Sequence, residues 1–200
     1  MKAFNGFAEA QEAAKRSGGA KLPKGAYVCE ILGAKIEAGQ NGNSDQMLVQ
    51  FEIAEGEYKG FFKKQYEDNT NEDKKYKGKV KIWLPKDDGS EKDSWTKNNF
   101  AKWPNALEES NEGYKWDWDE TKWKGKMIGI VFGETGTVIN GNEVVYTEAR
   151  YPASVEAVRT GKAGEAKFKA KNGYGEQAQT SGSSDFMSIP DGIEEELPFK

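Results

Sequence analysis

The stretch MLVQFEI at 47–53 constrains the fold most, because its apolar side chains alternate strictly along the chain. Met47, Val49, Phe51 and Ile53 occupy every second position of this stretch. Successive side chains of a β-strand point to opposite faces of the sheet, so this period predicts a strand with one buried face. We therefore expect a protein built mainly from β-strands.

Other segments of the chain carry weaker signals of the same kind. The apolar runs that predict further strands lie at 27–36, 61–66, 80–84 and 125–138. A Gly- and Asn-rich turn before 47–53 predicts an antiparallel hairpin with 27–36, and Asn140-Gly141 is the strongest short hairpin signal in the chain. The shared helical face of Phe100, Trp103 and Leu107 predicts a helix that is broken or restarted at Pro104.

This order of elements predicts an OB-like five-stranded barrel with an inserted helical segment, a short N-terminal helix and a disordered C-terminal tail. The Ala- and Glu-rich start predicts the helix, and the Gly, Lys, Ser and Gln composition after Thr160 predicts a flexible linker. The predicted segments are an N-terminal helical arm (1–20), an OB-like domain (21–160), a flexible linker (161–184) and an acidic tail (185–200).

The chain contains no histidine and one cysteine, Cys29. This composition removes the commonest general base and metal ligand and excludes nucleophilic pairs that need histidine. We therefore expect a protein that is not an enzyme, with no cofactor and no metal ion. The alternative is a magnesium-dependent nuclease, in which two or three carboxylates would converge on the metal ion. The stretch that contains these carboxylates also has the composition of a solvated loop. Its acidic residues are Glu108, Glu109, Asp117, Asp119 and Glu120.

All six tryptophans lie between Trp83 and Trp123, interleaved with lysines. Aromatic rings stack on unpaired bases and lysine or arginine neutralises phosphate, so the mixture predicts binding of single-stranded nucleic acid. Tryptophan is also a common core residue, so part of the set is expected in the core. The predicted nucleic-acid-binding residues are Lys63, Lys81, Trp83, Trp95, Lys97, Trp103, Trp123, Lys126 and Arg150.

The last 16 residues carry five acids and one lysine, which equals the net charge of −4 of the whole chain. They finish on a short apolar group before Lys200. Proline restricts the backbone beside the phenyl ring, so a linear docking motif would lose little entropy on binding. The predicted partner-binding residues are Asp191, Glu194, Glu195, Glu196, Leu197, Pro198 and Phe199.

This C-terminal tip, Asp191 to Phe199, resembles that of bacterial and phage single-stranded DNA-binding proteins. In that family a run of acids precedes Ile or Leu and a final Pro-Phe, after a Gly-, Gln- and Ser-rich linker. The resemblance implies that the tip recruits replication, recombination and repair proteins while an OB-fold body binds DNA. One difference is Lys200, because the family normally ends on phenylalanine and its carboxylate is recognised.

The body resembles a group of phage replication-module proteins. The matching motifs are Leu22-Pro23-Lys24-Gly25-Ala26-Tyr27, the stretch FEIAEGEYKG at 51–60 and Gly125-Lys126-Met127-Ile128-Gly129. These proteins are thought to be phage proteins similar to single-stranded DNA-binding proteins. Both resemblances therefore imply single-stranded DNA and replication or recombination proteins as partners, in the cytoplasm of a bacterial host cell.

Two other function classes stay open at this point. An adaptor or inhibitor would dock on host partners of single-stranded DNA-binding proteins and bind no DNA itself. A carbohydrate-binding β-sandwich would also expose tryptophans, although the tail and the lack of a secretion signal argue against it. No apolar run approaches the length of a membrane span, so no membrane is expected as a partner. The sequence leaves a homo-oligomer open.

Overall fold

The computed structural model describes residues 21–39 and 43–175. The predicted N-terminal helix at 4–16, the end of the predicted linker and the tail at 185–200 lie outside these ranges. The strands are β1 (Gly25–Glu37), β2 (Gln46–Ile53), β3 (Lys79–Trp83), β4 (Met127–Ile139), β5 (Asn142–Ala153) and β6 (Lys169–Ala170). The helices are α1 (Phe61–Glu67), α2 (Glu91–Ser110) and α3 (Val155–Arg159), with a 3-10 turn at Glu120–Trp123.

The strands form one open sheet, in which the order of the first five is β3-β2-β1-β4-β5 with antiparallel neighbours. The short strand β6 runs parallel to β4 and pairs with Thr135 and Gly136. Strand β1 begins at Gly25, opposite Phe132, so the edge of β4 beyond that point is available for β6. The predicted mainly β architecture is confirmed, and the sheet is six-stranded.

The core lies on the inner face of the sheet, under α2 and the 3-10 turn. Met47, Val49, Phe51 and Ile53 are all buried there, as their spacing predicted, and Leu48 on the opposite face is buried as well. Phe51 packs edge-on against Phe132 of β4, with ring centroids 5.9 Å apart. Aromatic pairs of this geometry add to the stabilisation that burial provides.

The hairpin between β4 and β5 turns at Asn140-Gly141, as predicted. Both residues have positive φ angles, 50° for Asn140 and 76° for Gly141. A two-residue type I′ turn needs such angles at both central positions, and its twist matches that of the flanking strands. The turn keeps Ile139 opposite Asn142 and so sets the register of the longest strand pair.

The prediction of a strand at 61–66 is wrong, because this stretch begins helix α1. The carboxylate of Glu52 accepts hydrogen bonds from the backbone N–H groups of Phe62 and Lys63, which lack partners within the helix. Gly60 precedes the helix with a φ of 74° and turns the chain away from the sheet. Six residues are too few for the apolar pattern to separate a strand from two helical turns.

The prediction of a helical break at Pro104 is also wrong, since α2 continues through it. Proline removes one intrahelical hydrogen bond and costs about 3 kcal/mol or more in a helix interior. Burial of Phe100, Trp103 and Leu107 on one face of α2 offsets that cost. The shared apolar face was therefore predicted correctly, and core packing keeps the helix in one piece.

Residues 161–175, the first part of the predicted linker, pack against the β4–β5 hairpin. Asn172 donates a hydrogen bond to the hydroxyl of Thr137, and the ammonium of Lys171 lies 3.2 Å from the carboxylate of Glu148. The Tyr174 ring lies over Gly136, where a Cβ atom would come within 2.7 Å of it. We therefore assign residues up to 175 to the folded domain instead of ending it at 160.

Candidate nucleic-acid interface

Two tryptophans from different elements line one open cleft. Trp83 is the last residue of β3 and is 46% exposed, and Trp95 lies in the second turn of α2 and is 63% exposed. The cleft has a volume of about 420 Å³, within the range of small-molecule sites. Its other lining residues include Ser44, Lys86, Lys92 and Asp93. We call it the Trp83–Trp95 cleft.

The alternation of β3 turns Trp83 outward. Ile82 is buried in the core, whereas Lys79, Lys81 and Trp83 are exposed on the opposite face. A ring and two ammonium groups thus follow one another on the outer face of one strand, over about 13 Å. Sequence periodicity alone left open which face of β3 was buried.

The outer face continues onto β2 and β1. In the register of the sheet, Lys81 lies opposite Leu48, and Leu48 lies opposite Lys35. Glu37 accepts from Lys35 at 3.0 Å and from Lys81 at 3.2 Å. These two hydrogen bonds, first Lys35 and then Lys81, hold the pKa of the Glu37 carboxyl below its ordinary value. The two lysines therefore share one carboxylate, and the group carries net positive charge.

Asp93 holds the loop between β3 and α2. One carboxylate oxygen accepts hydrogen bonds from the backbone N–H groups of Lys86 (2.8 Å) and Asp87 (3.0 Å). The other oxygen lies 3.0 Å from the ammonium of Lys97, and the Asp93 N–H donates to the hydroxyl of Ser90. This buried carboxylate thereby sets how the end of β3 and the first turns of α2 face one another.

The pKa of the Asp93 carboxyl is lowered, chiefly by the hydrogen bond from Lys97. A carboxyl whose pKa is lower in the folded state stabilises the fold above its unfolded pKa, about 3.9, and this contribution is lost as the pH falls through the folded pKa. We therefore expect Asp93→Asn to lower the melting temperature at pH 7. The difference from the wild type should shrink below about pH 4.

Thermal unfolding followed by circular dichroism, from pH 7 down to the acid limit of the folded state, measures this difference. Asp73→Asn is a suitable control, because Asp73 lies in the exposed loop before β3. A difference between wild type and Asp93→Asn that stays constant across this range would contradict the role assigned to the ionised carboxylate.

Two of the predicted nucleic-acid contacts are core residues, and those predictions are corrected. Trp103 lies on the inner face of α2, and Trp123 is fully buried in the 3-10 turn beside β1. Trp116 packs against Trp123 at 5.3 Å between ring centroids. A ring enclosed by protein cannot stack on a base, so neither indole belongs to a binding surface.

Arg150 is also corrected, because its side chain is only 14% exposed. Its guanidinium pairs with Glu148 at 2.9 Å and donates to the backbone oxygen of Glu134 at 3.0 Å. It also donates to the hydroxyl of Thr135. These bonds link β4 to β5 and leave little of the guanidinium for a phosphate group.

The remaining predicted cations differ in their distance from the cleft. Lys81 lies two residues from Trp83 on the same face, and Lys97 is paired with Asp87 and with Asp93, which lines the cleft. The backbone N–H of Lys63 donates to Glu52, near the end of β2 opposite to the one that Trp83 joins. The ammonium of Lys126 lies 4.9 Å from the centroid of the Tyr114 ring, at the start of β4.

The sequence analysis missed Lys86 and Lys92, which line the cleft. Lys92 precedes Trp95 by three residues, so helical periodicity could have placed both on one face. Lys86 lies in a loop and no periodic signal marks it. Trp118 is 79% exposed but does not line the cleft, and its φ of 67° is unusual for a bulky residue.

Three of the five acidic residues of the nuclease alternative are held in local contacts. Glu108 accepts from Lys115 and from the backbone N–H of Trp116, and Asp119 accepts from the Thr121 hydroxyl. Asp117 pairs with Lys122. Within residues 21–39 and 43–175, no three acidic or cysteine side chains form a group that could hold a metal ion.

None of the helices in the described part of the chain is both long enough and apolar enough to cross a membrane. The sequence matches no protein-family model and no curated protein.

Proposed function

We propose that this protein binds single-stranded DNA without sequence specificity, in the Trp83–Trp95 cleft. The observation that carries the proposal is that two exposed indoles line the cleft together with Lys86 and Lys92, while Lys81 precedes Trp83 on the outer face of β3. Every base has a flat face that an indole can stack on, so such a site tolerates any sequence. The lysines supply the charge that the phosphate groups require.

The proposed body is an OB-like, partly open barrel. Its support is the strand order β3-β2-β1-β4-β5 with α2 between β3 and β4, and the approach of the two edge strands β3 and β5 within 8 Å between Cα atoms. OB-folds bind oligonucleotides on the face of strands 2 and 3 and with the loop between strands 1 and 2. Trp83 and Ser44 occupy those places here.

The proposal includes the C-terminal tip, which lies outside the described residues. Its acids would steer it toward basic partners, and Phe199 would anchor it in an apolar pocket of a replication or recombination protein. Residue 175 is fixed beside the β4–β5 hairpin by a hydrogen bond from its N–H to Glu143. About 15 residues separate this point from the tip. As a flexible linker, a chain of that length would let the tip search a wide volume around the bound body.

Titration of the full chain with fluorescein-labelled dT16 tests the DNA part. We expect tryptophan quenching and an affinity that falls with salt. Three phosphate contacts would make the slope of log K against log salt about −2, since each contributes about −0.7 on a single strand. Absence of binding at 50 mM salt would contradict the proposal and favour the adaptor, which a pull-down with and without residues 191–200 would then examine.

A further inference from the structure

The exposed side of α2 carries a continuous row of side chains that leads away from the cleft. Lys92, Trp95, Asn99 and Lys102 follow one another at spacings of three, four and three residues, which places them on one helical face. We call this row the α2 stripe. Lys92 and Trp95 line the cleft, and Lys102 lies about 10 Å farther along the helix from Trp95.

The members of the stripe are connected by hydrogen bonds. The Asn99 amide donates to the backbone oxygen of Trp95 at 2.9 Å, and the Lys102 ammonium donates to the side-chain oxygen of Asn99 at 3.0 Å. The Lys102 charge is therefore held beside a neutral amide. An ammonium that donates to an amide keeps its full charge toward a phosphate, unlike Lys97, which is shared between Asp87 and Asp93.

The middle of α2, which contains most of the stripe, carries basic residues and no acidic ones. From Ser94 to Leu107 the helix contains two lysines and no acid, although it carries Glu91 and Asp93 before this stretch and Glu108 and Glu109 after it. A helix face that serves only solubility commonly mixes both signs in pairs three or four residues apart. A stripe of lysine, asparagine and an exposed indole instead has the composition of a single-strand path.

Resting on the proposed function, we propose that the bound strand leaves the Trp83–Trp95 cleft along α2, with Lys102 as a further phosphate contact. One portion of the strand crosses the outer face of β3 at Lys79 and Lys81, and the indoles hold the bases in the cleft. The next nucleotides follow the α2 stripe. The outer face of β3 and the stripe together extend for more than 20 Å, in keeping with the site sizes of single OB-folds.

The test compares Lys102→Ala with Lys63→Ala in the full chain. Both variants lose one exposed lysine, and Lys63 lies at the end of β2 remote from Trp83. We expect Lys102→Ala to weaken binding of labelled dT16 and to reduce the steepness of its salt dependence by about 0.7. Lys63→Ala should match the wild type. With dT4, which is short enough to be held in the cleft, both variants should bind as the wild type does.

The outcomes separate the path from the function. If Lys102→Ala keeps the wild-type salt slope on dT16 while Trp95→Ala loses affinity, the path along α2 is refuted and the proposed function stands. An equal slope change on dT4 would place the Lys102 contact inside the cleft and would also refute the path. If the wild type binds neither oligonucleotide, the proposed function and the path both fail.

Discussion

Replacing Trp83 or Trp95 by alanine is expected to lower the affinity for dT16 by about 1–3 kcal/mol each, or roughly 5- to 150-fold. Each substitution removes one stacking surface, and the two rings come from separate elements that meet at the cleft. The double variant should lose more than either single one. Fluorescence anisotropy of the labelled oligonucleotide measures the loss without relying on the indoles as reporters.

Trp118→Ala is the matched control for this experiment, because it removes an indole that is even more exposed but does not line the cleft. Its affinity for dT16 should equal that of the wild type. Circular dichroism should show that all three variants remain folded, since none of the rings is buried. If Trp118→Ala lost affinity for dT16 while Trp83→Ala and Trp95→Ala bound normally, the binding surface would lie elsewhere on the domain.

Trp123→Ala is expected to lower the free energy of unfolding by about 3–5 kcal/mol, a large part of the stability of a typical domain. The indole is fully buried, with Trp116 and residues of β1 beside it, so its removal leaves a cavity and loses apolar contacts. Urea unfolding followed by circular dichroism measures the change, as the midpoint concentration should fall at a nearly constant slope.

Trp83→Ala, the comparison for this variant, should stay within about 0.5 kcal/mol of the wild type, as is usual for surface positions. Trp123→Phe should restore part of the stability, since it refills part of the cavity. A Trp123→Ala protein as stable as the wild type would contradict the placement of this ring in the core. Trp83→Ala is therefore expected to change DNA affinity with little effect on stability, whereas Trp123→Ala is expected to lower stability strongly.

The sequence predicted the local architecture well where a period or a turn signal was long enough. The alternation at 47–53 and the turn at Asn140-Gly141 each depend on neighbouring residues, and both were confirmed. The prediction of a strand at 61–66 was wrong because the pattern of six residues fits a strand and a helix equally well. The contact that decides for a helix comes from Glu52, whose carboxylate receives the first N–H groups of α1.

The residues of the candidate site were predicted only in part, because composition shows residue types and does not show their tertiary contacts. Composition singled out the tryptophans from 83 to 123 and the lysines among and beside them. Of these, Trp83 and Trp95 line the cleft, and Lys81 lies beside it on β3. The prediction for Arg150 was wrong because its guanidinium pairs with Glu148, two residues earlier on the same strand, which is bulged at Arg150. Lys86 was missed because it lies in a loop whose position depends on a tertiary contact, the hydrogen bond from its backbone N–H to the Asp93 carboxylate seven residues later.

By itself, the sequence determined that the chain forms strands with one buried face, that it turns at Asn140-Gly141 and that α2 has an apolar side. These properties follow from the spacing of adjacent residues and the conformations that each residue type permits. Only the tertiary structure decided which tryptophans are buried. Burial depends on what a distant segment packs against. Trp123 is therefore buried beside β1, whereas Trp83 and Trp95 line one open cleft.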